Sequence, residues 1–384
     1  MDSLYRGILQ LVYAALTGEG AQLPPDFDWE RAYPFVTAHQ IAPLVYEGAR
    51  LCGVDTQTDV MRGLFRDYCQ EIVKSERQTR AVDELRAAFD EAGIEHLFFK
   101  GVVLKERYPK PELRPMGDAD VLIREAQYPA VDDILCRLGY ELKAQTAQEW
   151  HYASPGLIVE PHRMLVDPED ARDASVFGTG WELTAPDGAG RPTLPPEVET
   201  AHLVSHLAKH FRVGGAGLRQ MIDLWVCRRA HAAPDERKLA GLLDRLGLAE
   251  FYANVLRALS CWFEGGAEDE VTELLTRFVF SSGSFGTERS QVLAVTLRRT
   301  GGRGVKTYGV FSRLFPARSA LIDDYPWLAR RPLLLPFAWA RRLFRLIFFH
   351  RRRIRSGLRR MSMVNAEDVR GYAELLDRIG LGGA

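Results

Sequence analysis

The chain has 384 residues, with 50 Lys and Arg against 51 Asp and Glu, for a formal net charge of −1. That length exceeds a single ordinary core and predicts two or three lobes. A charge near zero gives no electrostatic footprint for nucleic acid over the chain as a whole. Five cysteines (Cys52, Cys69, Cys136, Cys227 and Cys261) are odd in number, scattered and without metal-ligand spacing, which speaks against a disulfide framework and fits a reducing cytoplasm. Met1–Gly7 has no charged stretch leading into an apolar one, so no signal peptide is expected.

Residues 1–92 read as a helical lobe. Leu4, Ile8, Leu11, Val12, Ala15 and Leu16 form one stripe, Ala42, Leu44, Val45 and Tyr46 suggest a second helix, and a long helix is predicted from Asp59 to Ala92. The charges of that long helix, from Arg62 to Arg80, are most simply a solvated face. Residues 93–190 read as a strand-rich core. Ile94–Phe99 is a short buried strand ending in Lys100-Gly101, followed by a short helix over Val102–Tyr108. The prolines of 109–116 forbid a continuous helix and return the chain, with Arg114, to a second strand, Asp118–Ile123. A helix over Tyr128–Leu138 stops at Gly139, and Gly156–His162 is a third strand candidate carrying Glu160. The Pro- and Gly-rich stretch 185–192 is a connecting loop.

Residues 191–298 read as a second helical lobe. His202, His206 and His210 recur every four residues and share one helical face, as do Arg219 and Asp223. The His-x-x-x-His spacing suits zinc, but no cysteine or glutamate stands at a companion position. The other readings are ordinary interhelical packing, or a face lining a nucleotide cleft with His206, Lys209 and His210 near phosphates. Residues 299–384 form a basic segment in which nine arginines between 341 and 360 are interleaved with Leu343, Phe344, Leu346, Ile347, Phe348 and Phe349. It is too interrupted to span a bilayer. It can pack on the core, lie on an anionic membrane surface or attract a polyanion, so a cytoplasmic protein with a peripheral membrane contact is one expectation.

The chemistry concentrates in Gly117-Asp118-Ala119-Asp120. Strand alternation points Asp118 and Asp120 the same way, and two like charges near a core require a positive partner. A divalent cation, Mg2+ or Mn2+, is the usual one for oxygen ligands. Glu160 offers a third carboxylate, and His162 faces the same side two residues later. Lys100 and the N–H groups after Gly101 offer a seat for phosphate.

Lys100-Gly101, Leu104, Tyr108, Arg114-x-x-x-Asp118-x-Asp120 and Glu160-x-His162 together resemble the uncharacterised bacterial branch of the DNA polymerase β-like nucleotidyltransferase superfamily. The block His202–Phe211, with Arg219 and Asp223, and the stretch from Tyr325 to Pro336 are similar to its longer members. Where classical members carry Gly-Ser, this chain has Lys100-Gly101 and lacks the serine hydroxyl. The resemblance implies an α+β fold, a small mixed β-sheet flanked by helical lobes. It also implies Mg2+- or Mn2+-dependent transfer of an NMP group from an NTP, with ATP the first expectation, to a hydroxyl-type acceptor. Asp118, Asp120 and Glu160 would be the catalytic and metal-holding residues. Lys100, Gly101, Arg114, His162, His206, Lys209 and His210 would bind the nucleotide. The competing readings are a catalytically silent nucleotide-binding or scaffolding member of the same fold, and a polyanion- or membrane-surface-binding protein acting through residues 341–360.

Overall fold

Five short strands carry the centre of the molecule: β1 (His96–Phe99), β2 (Asp118–Ile123), β3 (Glu141–Gln145), β4 (Trp150–Ala153) and β5 (Ile158–His162). In the computed structural model they form one mixed sheet in the order β1-β2-β5-β4-β3. Only the β2–β5 pair is parallel. The structure describes residues 1–146, 148–230, 234–282, 288–300, 321, 325, 327, 331, 334–341 and 366–382.

Alternation along the strands decides what each face of the sheet does. Ala119, Val121 and Ile123 of β2, Val159 of β5 and Tyr152 of β4 join an apolar core on the back face. Two helices close that core, α4 (Asp59–Glu91) through Val82, Leu85 and Phe89, and α6 (Tyr128–Arg137) through Val131, Ile134 and Leu135. The long α4 is capped by Thr58, whose hydroxyl accepts from the Met61 N–H. The opposite, front face receives Asp118, Asp120 and Leu122 from β2, and Ile158, Glu160 and His162 from β5. Between β1 and β2 stands the one-turn helix α5 (Gly101–Lys105).

The chain divides into two compact units. The first comprises Met1–Lys209 and Gly217–Ser284, the second His210–Ala216 and Phe285–Ala384. The first unit holds the sheet and the helices α1 (Ser3–Thr17), α2 (Trp29–Ala38) and α3 (Ala42–Leu51), in which α1 and α3 press closely together. A Cβ on Gly48 would stand 1.9 Å from the Leu11 carbonyl oxygen, so only glycine fits there. After the sheet come α7 (Ala171–Phe177), α8 (Pro196–Arg212), α9 (Leu218–Ala230) and three further helices, Glu236–Leu246, Ala249–Phe263 and Glu270–Ser282. In the second unit the helix Ala366–Arg378 packs Val369 against Val292, Leu293 and Leu297 of Glu288–Thr300. Of the basic stretch 341–360, all but Arg341 lies outside the described residues. Among the described residues no helix is long and apolar enough to cross a membrane.

Candidate active site

The parallel pairing of β2 with β5 sets Asp120 beside Glu160, and Leu122 beside His162. The antiparallel pairing of β1 sets Phe99 beside Asp120, which brings Lys100 to the carboxylates. Three side chains from two strands converge: one ligand atom each from Asp120, Glu160 and His162 lie within 4.8 Å of one another. His162 Nε2 is 3.0 Å from Asp120 Oδ1 and 3.9 Å from Glu160 Oε2. Asp118 shares their face one alternation earlier, opposite Ile158, but is not part of this converging group.

Charge explains the local ionisation. Burial works against a charged Asp120, but the Lys100 ammonium, 2.8 Å from its Oδ1, and the His162 imidazole outweigh it and hold Asp120 well below the usual carboxylate range. Asp118 moves the other way, raised by burial and by the Asp120 charge. Glu160 is pushed up to about 7, first by burial and then by Asp118 and Asp120. His202, packed edge-on to Phe99 and Phe177 with Nε2 3.0 Å from the Leu165 carbonyl, is lowered to about 4 by burial.

The backbone at Lys100 takes φ +49°, a region that favours glycine and is costly for a lysine. It is held there by the packing that follows. A Cβ on Gly101 would meet Met116 Cγ at 2.9 Å and Arg114 Nη1 at 3.0 Å. Gly101→Ala should therefore destabilise the fold by about 1–2 kcal/mol through overpacking; urea unfolding of the variant measures it.

The structure distributes the other predicted residues unevenly. Arg114 is buried and clamped to Asp223, Nε to Oδ1 at 3.1 Å and Nη2 to Oδ2 at 3.0 Å, with the Tyr108 hydroxyl donating to the same Asp223 Oδ1 at 2.8 Å. Only its Nη1 edge lies beside Gly101. Lys100 serves first as the counter-charge of Asp120. The helix after Gly101 is five residues long, so its dipole is short and weak. Lys209 is half exposed and pairs with Asp167 at 3.6 Å, which sets it in a surface ion pair. His206 is half-buried on α8, and His210 Nδ1 stands 3.1 Å from the Gly215 carbonyl oxygen. The α8 histidines are not among the converging ligand groups of the described residues, and a zinc site there has no geometric support.

Two residues of this neighbourhood escaped the sequence reading. Glu149 and His151, on β4 and the turn before it, form a second converging group with Glu160. The available signal was a repeated spacing, Glu149-x-His151 echoing Glu160-x-His162.

A divalent cation fits this donor set. Both ring nitrogens of His162 are buried, and a carboxylate oxygen stands 3.0 Å from each, Asp120 Oδ1 at Nε2 and Glu149 Oε2 at Nδ1, the latter without hydrogen-bond alignment.

The sheet is mixed, and its one parallel pair, β2–β5, carries the acidic residues of the front face. Residues 25–264 match a family described as uncharacterised nucleotidyltransferases, and the chain belongs to that family. General NMP transfer from an NTP donor to an acceptor is the family's class of activity, with a divalent metal implied. Among solved structures the chain is similar to the antibiotic-resistance factor ANT(2'')-Ia. The two share 13% identity over 47% of this chain and 96% of that one, with a TM-score of 0.35. No curated protein matches the chain.

Proposed function

We propose that the front face of the sheet transfers an NMP group from an NTP, ATP first among donors, to a hydroxyl-type acceptor on a small molecule, peptide or protein. The convergence of Asp120, Glu160 and His162, with Asp118 on the same face, carries this reading. Asp118, Asp120 and Glu160 are the residues that would hold two Mg2+ or Mn2+ ions, with His162 beside them. Bound there, the cations would neutralise charge on the transferred phosphoryl group and the departing pyrophosphate.

The chain's own groups do the rest. Glu160, the carboxylate set beside Asp120 on the adjacent strand, is the group assigned to take the proton of the attacking hydroxyl. Lys100, now 2.8 Å from Asp120 Oδ1, is the ammonium that would neutralise the β- and γ-phosphates. Arg114, immobilised by Asp223 and Tyr108, offers its Nη1 edge beside Gly101. Phe99 and Phe177, packed around His202, exclude water from the floor behind these groups.

The test is turnover of α-labelled ATP with Mg2+, together with binding of a non-hydrolysable ATP analogue by calorimetry. Absence of analogue binding in the presence of Mg2+ would overturn the reading. A pH signature accompanies it. Below about pH 7 a cation must displace the proton that Glu160 retains, so Mg2+ affinity should rise as much as tenfold per pH unit up to about 7 and flatten above about 8. Glu160→Gln should weaken binding and remove that slope; calorimetric titrations across the pH range check both.

A further inference from the structure

The hairpin β3–β4 turns a second Glu-x-His pair toward the carboxylates. β4 runs antiparallel to β5, with Tyr152 opposite Val159, and an isolated bridge joins Glu149 to His162. The Arg163 N–H donates to the Gln148 carbonyl at 2.9 Å and closes that end of the hairpin. Because Tyr152 and Val159 both face the back core, His151 projects onto the front face with Glu160. His151 Nδ1 is 2.7 Å from Glu160 Oε1, and its Nε2 is 3.3 Å from Glu149 Oε1. One ligand atom each from Glu149, His151 and Glu160 lie within 4.8 Å of one another.

A second observation comes from His162. This ring is 1% exposed, and its Nδ1 faces Glu149 Oε2 at 3.0 Å with no hydrogen bond formed. A nitrogen and an oxygen at that separation can occupy neighbouring corners of a coordination shell. With ligands about 2.1 Å from an ion, adjacent corners of an octahedron stand about 3 Å apart, and the lone pairs point at the centre rather than at each other. Left alone, a buried nitrogen without a hydrogen bond is unfavourable.

We propose that Glu149, His151 and Glu160, with His162 Nδ1 at the edge, form a further divalent-cation site that prefers a transition metal such as Mn2+ or Zn2+ over Mg2+. The preference follows from the donors. Imidazole suits first-row transition metals, whereas Mg2+ is held by oxygen and sheds its water reluctantly. Glu149 and His151 remain partly exposed, at 20% and 30% of their side chains, which gives an ion a way in. The site shares Glu160 with the group around Asp120 but is defined by Glu149 and His151. It does not depend on the transfer reaction, and its test contains no nucleotide.

The experiment is titration of the full chain with MnCl2, followed by calorimetry and by electron paramagnetic resonance of free Mn2+. Wild type, His151→Ala, Glu149→Gln and Asp120→Asn are compared, with circular dichroism confirming the fold of each. His151→Ala and Glu149→Gln should each remove one equivalent of bound Mn2+ or weaken it tenfold or more, while Asp120→Asn keeps it. A roughly hundredfold excess of Mg2+ should leave that equivalent bound. Unchanged Mn2+ binding in both β4 variants overturns the site, and displacement by Mg2+ overturns its preference. Should His151→Ala fail to fold, the half-buried Glu149→Gln decides alone. Failure of ATP turnover would leave every one of these titrations standing.

Discussion

Asp120→Asn should lower NMP transfer by about a thousandfold or more while leaving the protein folded. Asp120 is the point on which the site's charges meet: Lys100 lies 2.8 Å away, His162 3.0 Å, and Glu160 is its register neighbour on β5. Asparagine keeps the shape and an oxygen acceptor for Lys100 but lacks the negative charge that would hold a cation. Electrostatic stabilisation lost at the reacting phosphoryl group is worth about two to three orders of magnitude for a single donor, and loss of a bound cation removes more. Alanine is the poorer probe. It also removes the oxygen to which the Lys100 ammonium donates, and leaves a gap beside a side chain only 19% exposed. The measurement is single-turnover transfer from α-labelled ATP, with thermal melting on the same samples. Retention of activity within tenfold would remove Asp120 from the mechanism.

How far the site could be read in advance depended on which residues are neighbours in sequence and which only in space. β1, β2 and β5 are short apolar runs, and β2 carries its acids at alternate positions, so their existence and the common face of Asp118 and Asp120 were visible from spacing alone. The hairpin was not. Every residue of β3, from Glu141 to Gln145, is exposed, so it has no apolar face to announce it, and its pairing with β4 also breaks register between Leu142 and Ala144. With the hairpin unseen, Glu149 and His151 had no strand to stand on. The parallel pairing of β2 with β5 is likewise a long-range fact, and it alone sets Glu160 beside Asp120. Lys100 looked like a phosphate ligand because a lysine at a strand end facing a glycine suggests one. Its contact with Asp120 required the antiparallel register of β1 on β2. Arg219 was visible on a helix face, but its bonds to the Gln40 side chain and the Pro115 carbonyl were not.

The same gap between spacing and space applies most strongly to Arg114, which carries the second large effect. Its partner Asp223 is 109 residues away, on α9, and both side chains are nearly sealed from solvent at 9% and 6% exposure. Arg114→Leu should destabilise the protein by about 3–5 kcal/mol, because the buried carboxylate would lose its two-pronged partner and keep, among the described residues, the Tyr108 hydroxyl as its side-chain hydrogen bond. Asp223→Leu should cost a similar amount by stranding the guanidinium. The double variant should be less damaging than the sum of the singles, by about 1–3 kcal/mol, since removing both charges removes the need for either. Urea unfolding of the three variants measures the coupling, and strict additivity would show that the pair is not a unit. Transfer kinetics in Arg114→Lys then separate anchoring from phosphate contact. Lysine restores charge without the two-pronged grip on Asp223. If Arg114 acts through its Nη1 edge at Gly101, Arg114→Lys should recover part of the stability and little of the activity. If it only anchors the loop, activity should return in step with stability.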